Sequence, residues 1–293
     1  MLRLLISSLT RIHTGSDSLP SRTLCWSLSH LHGLPGEGVV DHRVNVVKTH
    51  WPERKGWWGG EGRRAVVVVR NYWDTVKSYW NMCVTNTHDK RATEEVKIMW
   101  GEKWRRMVKN EAKVWRVFHE WWMEEGRVED ICVLRFEDIV GGGERRNREI
   151  ERLMRFIEGG EGGGIIGGER NRNNAKAAAA SGYKVKPGGV GKAMKDFTEE
   201  MVADANEEAG EMLRMLGYED VCKGGAVRDV DMEGIRDAFN RGRKKVEDKL
   251  DGTVRINKGQ EIRREDDEFG RKMTEWRRSK TDNDTKPFPT VER

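Results

Sequence analysis

Ala65-Val66-Val67-Val68-Val69-Arg70-Asn71-Tyr72-Trp73-Asp74-Thr75-Val76-Lys77-Ser78 decides the fold of this chain. Its first five residues are apolar and mostly β-branched, which predicts a strand. The run does not alternate with polar residues, so both faces of the strand are expected to be covered, as in a parallel sheet flanked by helices. A helix carrying Ser78 should follow Arg70. In an open α/β sheet, ligands sit beyond the carboxyl ends of the strands, and Arg70 stands there. A guanidinium can fork two N–H donors onto a phosphate, while a hydroxyl two turns into the next helix and nearby backbone amides add donors to the same anion. The spacing also fits a plainer arrangement, with Arg70 paired to Asp74 and Ser78 on an ordinary helix face.

Working outward, Val44–Val47 and Ile131–Leu134 are further β-branched runs and predict two more strands. The first leads into Lys48-Thr49-His50-Trp51-Pro52. Lys48 and His50 lie two apart in an extended segment and so point to one side, where a cation and a titratable base could face one substrate. A lone histidine can equally be a hydrogen-bonded structural residue. A helix is expected over Glu94–Glu125, from an apolar stripe of Val96, Trp100, Trp104, Met107, Val108, Trp115, Phe118 and Trp122, with Gly126 as its stop. That stripe fits a core better than a ligand cage. A second helical pattern covers Phe197–Leu216 and ends at Gly217 and Tyr218.

The 293 residues suffice for one large α/β domain and a tail. Apolar residues make up 36% and charged residues 35%, so part of the chain is expected to stay solvated. Lys and Arg exceed Asp and Glu by 54 − 49 = 5, with the charges well mixed. This balance suits a polyanionic ligand and lacks the concentrated basic face of a nucleic-acid binder. Cys25, Cys83, Cys132 and Cys222 are far apart and form no zinc spacing, so no metal is expected. No run reaches the roughly 18 to 20 apolar residues of a membrane span. The Gly-rich stretch, about residues 141–182, is expected to be a flexible insertion. Residues 224–293 are expected to form a charged, partly helical and partly disordered tail after a domain over residues 1–223.

Lys48-Thr49-His50 after a strand, then Arg70-Asn71 with Asp74 and Ser78, then Arg135-Phe136-Glu137-Asp138, together resemble the sulfotransferase family. Leu34-Pro35-Gly36-Glu37-Gly38, Ser78-Tyr79-Trp80-Asn81-Met82 and Thr85-Asn86-Thr87-His88 are similar to its WSC-domain-containing branch. The resemblance covers about Leu2 to Lys223. It implies a P-loop-NTPase-like parallel sheet flanked by helices, the sulfotransferase fold, incomplete at its N-terminus. It also implies 3′-phosphoadenosine-5′-phosphosulfate as co-substrate, no metal, and a carbohydrate or glycoconjugate acceptor. Arg70 and Ser78 would bind the 3′-phosphate, and Lys48 and His50 would serve sulfuryl transfer. Lys186-Pro187-Gly188-Gly189-Val190-Gly191 resembles the family's late donor-binding loop, implying further contacts from Lys186, Gly188 and Gly191.

Three departures qualify the match. Tyr72 stands where the family has Pro at the helix start; in the late loop Lys186 replaces Arg, Pro187 replaces Lys, and Ala193 stands where Trp would stack. Met1–Leu5 resembles the first helix that follows the 5′-phosphosulfate loop, so the preceding strand and loop, and any membrane anchor or WSC domain, are expected upstream. Golgi membrane location is implied only through such an absent segment. Without that loop, little turnover is expected. A fold that binds nucleotide or a protein partner without turnover is therefore the alternative to an enzyme. A nucleotide kinase would need GxxxxGK[ST], which is absent.

Overall fold

A computed structural model describes residues 2–50, 64–85, 90–99, 101–124, 128–159 and 190–253. These residues form a mixed α/β protein with two small parallel sheets, divided into two compact units. Residues 2–50 and 141–159 belong to the first unit, and residues 64–140 and 190–253, where described, to the second.

In the first unit, helix α1 (Leu2–Thr10) buries Leu5, Ile6 and Leu9, one stripe of an amphipathic helix. Strand β1 (Gly15–Ser16), helix α2 (Thr23–Leu31) and strand β2 (Val47–Lys48) follow. The two strands run parallel, with Gly15 opposite Val47 and Ser16 opposite Lys48. Gly15 is required by space, because a Cβ there would lie 2.0 Å from the Val39 carbonyl oxygen. The predicted strand Val44–Val47 is thus confined to its last residue and Lys48, and its partner β1 was not foreseen. A two-residue strand carries no periodicity to detect.

The second unit opens with strand β3 (Arg64–Val69), helices α3 (Tyr72–Thr85), α4 (Glu94–Met99) and α5 (Gly101–Glu124), strand β4 (Asp130–Arg135) and helix α6 (Phe136–Val140). Strands β3 and β4 pair in parallel from Arg64 opposite Asp130 to Val69 opposite Arg135. Arg70 and Phe136 therefore leave the ends of neighbouring strands in step. The expectation of strands covered on both faces holds for β4, where Cys132 to Arg135 are all buried. For β3 it fails. Ala65, Val67 and Val69 are buried, but on the other face Val66 is half-buried and Val68 is 46% exposed, so that face is open at Val68.

Helix α7 (Gly143–Glu158) belongs to the first unit and corrects the expected flexible insertion. Its Ile150 and Leu153, three apart, are buried beneath a solvated charged face. Gly159, in the left-handed conformation at φ 93°, ends the helix. The flanking glycines obscured a sound amphipathic period. The rest of that stretch, 160–189, lies outside the described residues.

A short 3₁₀ turn (Lys192–Asp196), helix α8 (Glu199–Met215), a second such turn (Val221–Lys223) and helix α9 (Met232–Thr253) complete the second unit. Thr198 caps α8 by accepting the Met201 N–H, so the expected Phe197–Leu216 helix is found nearly whole. Helix α8 packs along α5 over Val108, Ala112, Ala205, Ala209, Met212 and Leu213, where small residues allow close approach. Helix α9 packs on α5 as well, with Ile235, Ala238 and Phe239 buried. Compact structure thus extends past Lys223 into the expected tail, because three apolar residues at helical spacing outweigh its charge there. The predicted Glu94–Glu125 helix corresponds to α4 and α5, with Trp100 and the Gly126 stop outside the described residues. No described helix is long and apolar enough to cross a membrane.

Candidate functional site

The junction between β3 and α3 is built by Asn71. Its side-chain oxygen accepts the Trp73 N–H at 2.9 Å, and its carbonyl accepts the Thr75 N–H and hydroxyl at 3.1 and 2.8 Å. Asn71 is therefore the helix cap, and the first turn forms without the proline that the resemblance leads one to expect. Tyr72 opens the helix buried, donating its hydroxyl to the Val108 carbonyl. Burial, then the Glu111 charge, pushes its phenol well above the ordinary range, so it stays a neutral donor.

Arg70 is exposed, its guanidinium 4.8 Å above the Phe136 ring. It does not take Asp74 as its partner. Asp74 Oδ2 accepts the Gly191 N–H at 2.8 Å and the Asn71 side-chain N–H at 3.3 Å, while Oδ1 accepts the Ala193 N–H at 3.0 Å. Gly191, at φ 78°, has no room for a Cβ, which would lie 2.9 Å from Val221 Cγ1. The segment after Gly191 is held to α3 by further contacts. Lys77 Nζ lies 3.5 Å from Asp196 and 5.1 Å above the Trp104 ring. The Trp104 indole N–H donates to the Asp196 carbonyl at 3.1 Å. Phe197 meets Trp73 and Trp104 at ring distances of 5.1 and 5.2 Å.

This carboxylate brings Gly191 to the first turn of the helix that begins just after Arg70 and carries the exposed Ser78 one turn beyond Asp74. Arg70, Ser78 and Gly191 belong to the second unit; Lys186 and Gly188 lie outside the described residues. A cation, a hydroxyl and a glycine turn at a strand end and helix start are the donor types an oxyanion needs.

Lys48 and His50 belong to the first unit. Their side chains meet, with Lys48 Nζ 2.7 Å from His50 Nε2, as the alternation of an extended segment requires. With the ammonium donating, Nε2 is the acceptor and the ring proton sits on Nδ1. The loop is fixed from below by buried Asp17, whose N–H donates to the Lys48 carbonyl at 3.0 Å and whose Oδ2 accepts the Thr49 hydroxyl at 2.6 Å.

Nearby in the same unit, Arg3 donates to the Thr14 hydroxyl and carbonyl at 3.2 and 3.0 Å and pairs with buried Glu37. Burial opposes ionisation of Glu37. Hydrogen bonding and charge from Arg3, with the neighbouring Ser16 and Ser18 hydroxyls, outweigh it and hold the carboxyl below its ordinary value. Neither hydroxyl reaches hydrogen-bond geometry with Oε1, which is buried without a partner.

Sequence reasoning missed Asp17 as the support of the Lys48–His50 loop and Asp74 as the tie to Gly191. The second had a partial signal, an acid in the first turn of a helix, which marks an acceptor for N–H groups without showing whose. The first had none. No protein-family model matches the chain, and no curated protein or solved structure matches it.

Proposed function

We propose that the second unit binds the 3′-phosphate of an adenosine 3′,5′-bisphosphate group and that the chain is a sulfotransferase of the α/β, P-loop-NTPase-like sulfotransferase fold. The observation that carries this reading is the Asp74 tie, which sets Gly191 and Ala193 against the first turn of the helix that follows Arg70 and carries Ser78. Lys186 and Gly188 are assigned to donor binding on the resemblance alone. The co-substrate is 3′-phosphoadenosine-5′-phosphosulfate, and the acceptor a hydroxyl of a carbohydrate or glycoconjugate. The acceptor oxygen bonds to sulfur as His50 Nε2, released when Lys48 turns its ammonium to the transferring group, takes its proton; the bond from sulfur to the 5′-phosphate oxygen breaks and adenosine 3′,5′-bisphosphate leaves. Lys48 would stabilise charge on the transferring group and the leaving phosphate. Action at the Golgi membrane is part of the same proposal, on the resemblance alone.

A second reading, binding without turnover, is favoured by the contact of Lys48 Nζ with His50 Nε2 at 2.7 Å, which occupies the nitrogen a general base would use. Calorimetric titration with adenosine 3′,5′-bisphosphate, against adenosine 5′-monophosphate as control, tests what both readings share. Arg70→Ala should weaken binding of the bisphosphate about 10- to 100-fold, from a charge-assisted bond of roughly 1.5 to 3 kcal/mol. Ser78→Ala should cost about half that energy. Affinity unchanged in Arg70→Ala would remove the phosphate assignment. Transfer of labelled sulfate to a mixed glycan pool separates the two readings.

A further inference from the structure

Arg70 has its backbone and its side chain held by one short segment at the end of the neighbouring strand. The Asn71 N–H, in the peptide unit that follows Arg70, donates to Glu137 Oε1 at 2.9 Å. The guanidinium of Arg70 lies on Phe136, the residue before Glu137. The other oxygen of Glu137, Oε2, accepts the hydroxyl of Tyr218 at 2.6 Å. A carboxylate held at both oxygens cannot rotate without breaking a charge-assisted bond, so its position depends on where Tyr218 sits.

Tyr218 is itself fixed from the same strand end. It is fully buried and follows Gly217, whose φ of 77° turns the chain sharply after α8. A Cβ at Gly217 would lie 2.4 Å from the Arg228 carbonyl oxygen, so only glycine fits. Buried Arg135 donates to Asp138 at 2.8 Å and to the carbonyls of Leu216 and Arg228, bolting this turn onto β4. Arg135, Phe136, Glu137 and Asp138 thus act together: Arg135, held by Asp138, grips the turn, and Phe136 and Glu137 grip Arg70 and its following peptide.

We infer that Tyr218, Glu137 and Phe136 are positioning residues that set Arg70 for its phosphate, so that the turn after α8 contributes to anion binding without touching the anion. This rests on the phosphate reading of Arg70, and the test separates the two. Adenosine 3′,5′-bisphosphate affinity is measured for Tyr218→Phe, Phe136→Leu and Arg70→Ala, and for each of the first two combined with Arg70→Ala. Tyr218→Phe keeps the ring and removes only the hydroxyl; Phe136→Leu keeps apolar bulk and removes the aromatic face.

Tyr218→Phe and Phe136→Leu should each weaken binding about 2- to 30-fold, the range of coupling through an intermediate residue. In the Arg70→Ala background neither should weaken it further, because residues that act through a shared partner are not additive. A merely structural role would give additive losses, and that result overturns the inference. So does parent-like affinity in both Tyr218→Phe and Phe136→Leu while Arg70→Ala is weakened. If Arg70→Ala binds like the parent, the phosphate reading fails and the inference falls with it. Near-ultraviolet circular dichroism establishes that each variant is folded. Should Tyr218→Phe not fold, the Phe136→Leu cycle decides.

Discussion

Replacing Asp74 with alanine removes the acceptor of two backbone N–H bonds, at 2.8 and 3.0 Å, that tie Gly191 and Ala193 to α3. A hydrogen bond to a charged acceptor contributes about 1.5 to 3 kcal/mol net, and a buried donor left without a partner costs about 1 to 3 kcal/mol. Gly191 is half-buried, so water can reach its freed N–H. Ala193 is only 8% exposed and cannot be rewetted so easily. The third bond, from the Asn71 side chain at 3.3 Å, is long and adds little. The total expected for Asp74→Ala is about 3 kcal/mol of stability in the second unit.

Urea unfolding followed by tryptophan fluorescence suits this test, because Trp73 and Trp104 both touch Phe197 at the end of the tied segment. With a denaturant slope of about 2 kcal/mol per M, the midpoint should fall by about 1.5 M. Asp74→Asn should fall in between, since its amide carbonyl can accept one N–H while its NH₂ group faces the other. A midpoint for Asp74→Ala within about 0.2 M of the parent would show that the tie contributes nothing, and the argument that it sets the Gly191 turn would fail.

Three further outcomes are expected. Glu37 is held below its ordinary value of 4.5, so its contribution is complete above that pH and is lost as pH falls through the lowered value. Glu37→Gln should remove this acid-side loss, read as the urea midpoint of the parent and variant between about pH 3 and 6. His119 is wholly buried in α5 and accepts no charge readily: burial depresses it from 6.5 to about 4, against a smaller opposing effect of its bond to the Trp115 carbonyl. Its neutral form contributes stability fully above pH 6.5, and this is lost as pH falls toward 4. The size is on the order of 3 kcal/mol, and His119→Gln should flatten that slope in pH-dependent unfolding. In a form of the protein that turns over, His50→Ala should lower sulfate transfer about 10²- to 10⁴-fold with donor affinity nearly unchanged, since a general base acts in the transition state. Turnover within a few-fold of the parent would make His50 a support of its loop.

The sequence alone determined the strand Ala65–Val69, the turn at Arg70 and the helix through Ser78, because an unbroken β-branched run and a helical period are local properties of neighbouring residues. The apolar stripe of α5 and the helical pattern of Phe197–Leu216, found as α8, were legible for the same reason. So was the meeting of Lys48 and His50, which follows from the two-residue repeat of extended chain. Tertiary structure decided what distance along the chain conceals. Asp74 could have paired with Arg70, four residues away, but 117 residues separate it from Gly191, and only folding shows that its carboxylate turns there. Glu137 likewise lies 66 residues from Asn71 and 81 from Tyr218. The open face at Val68, the folded start of the charged tail and the helix inside the glycine-rich stretch were also hidden. Composition sums over residues, whereas burial depends on which few of them meet an apolar partner.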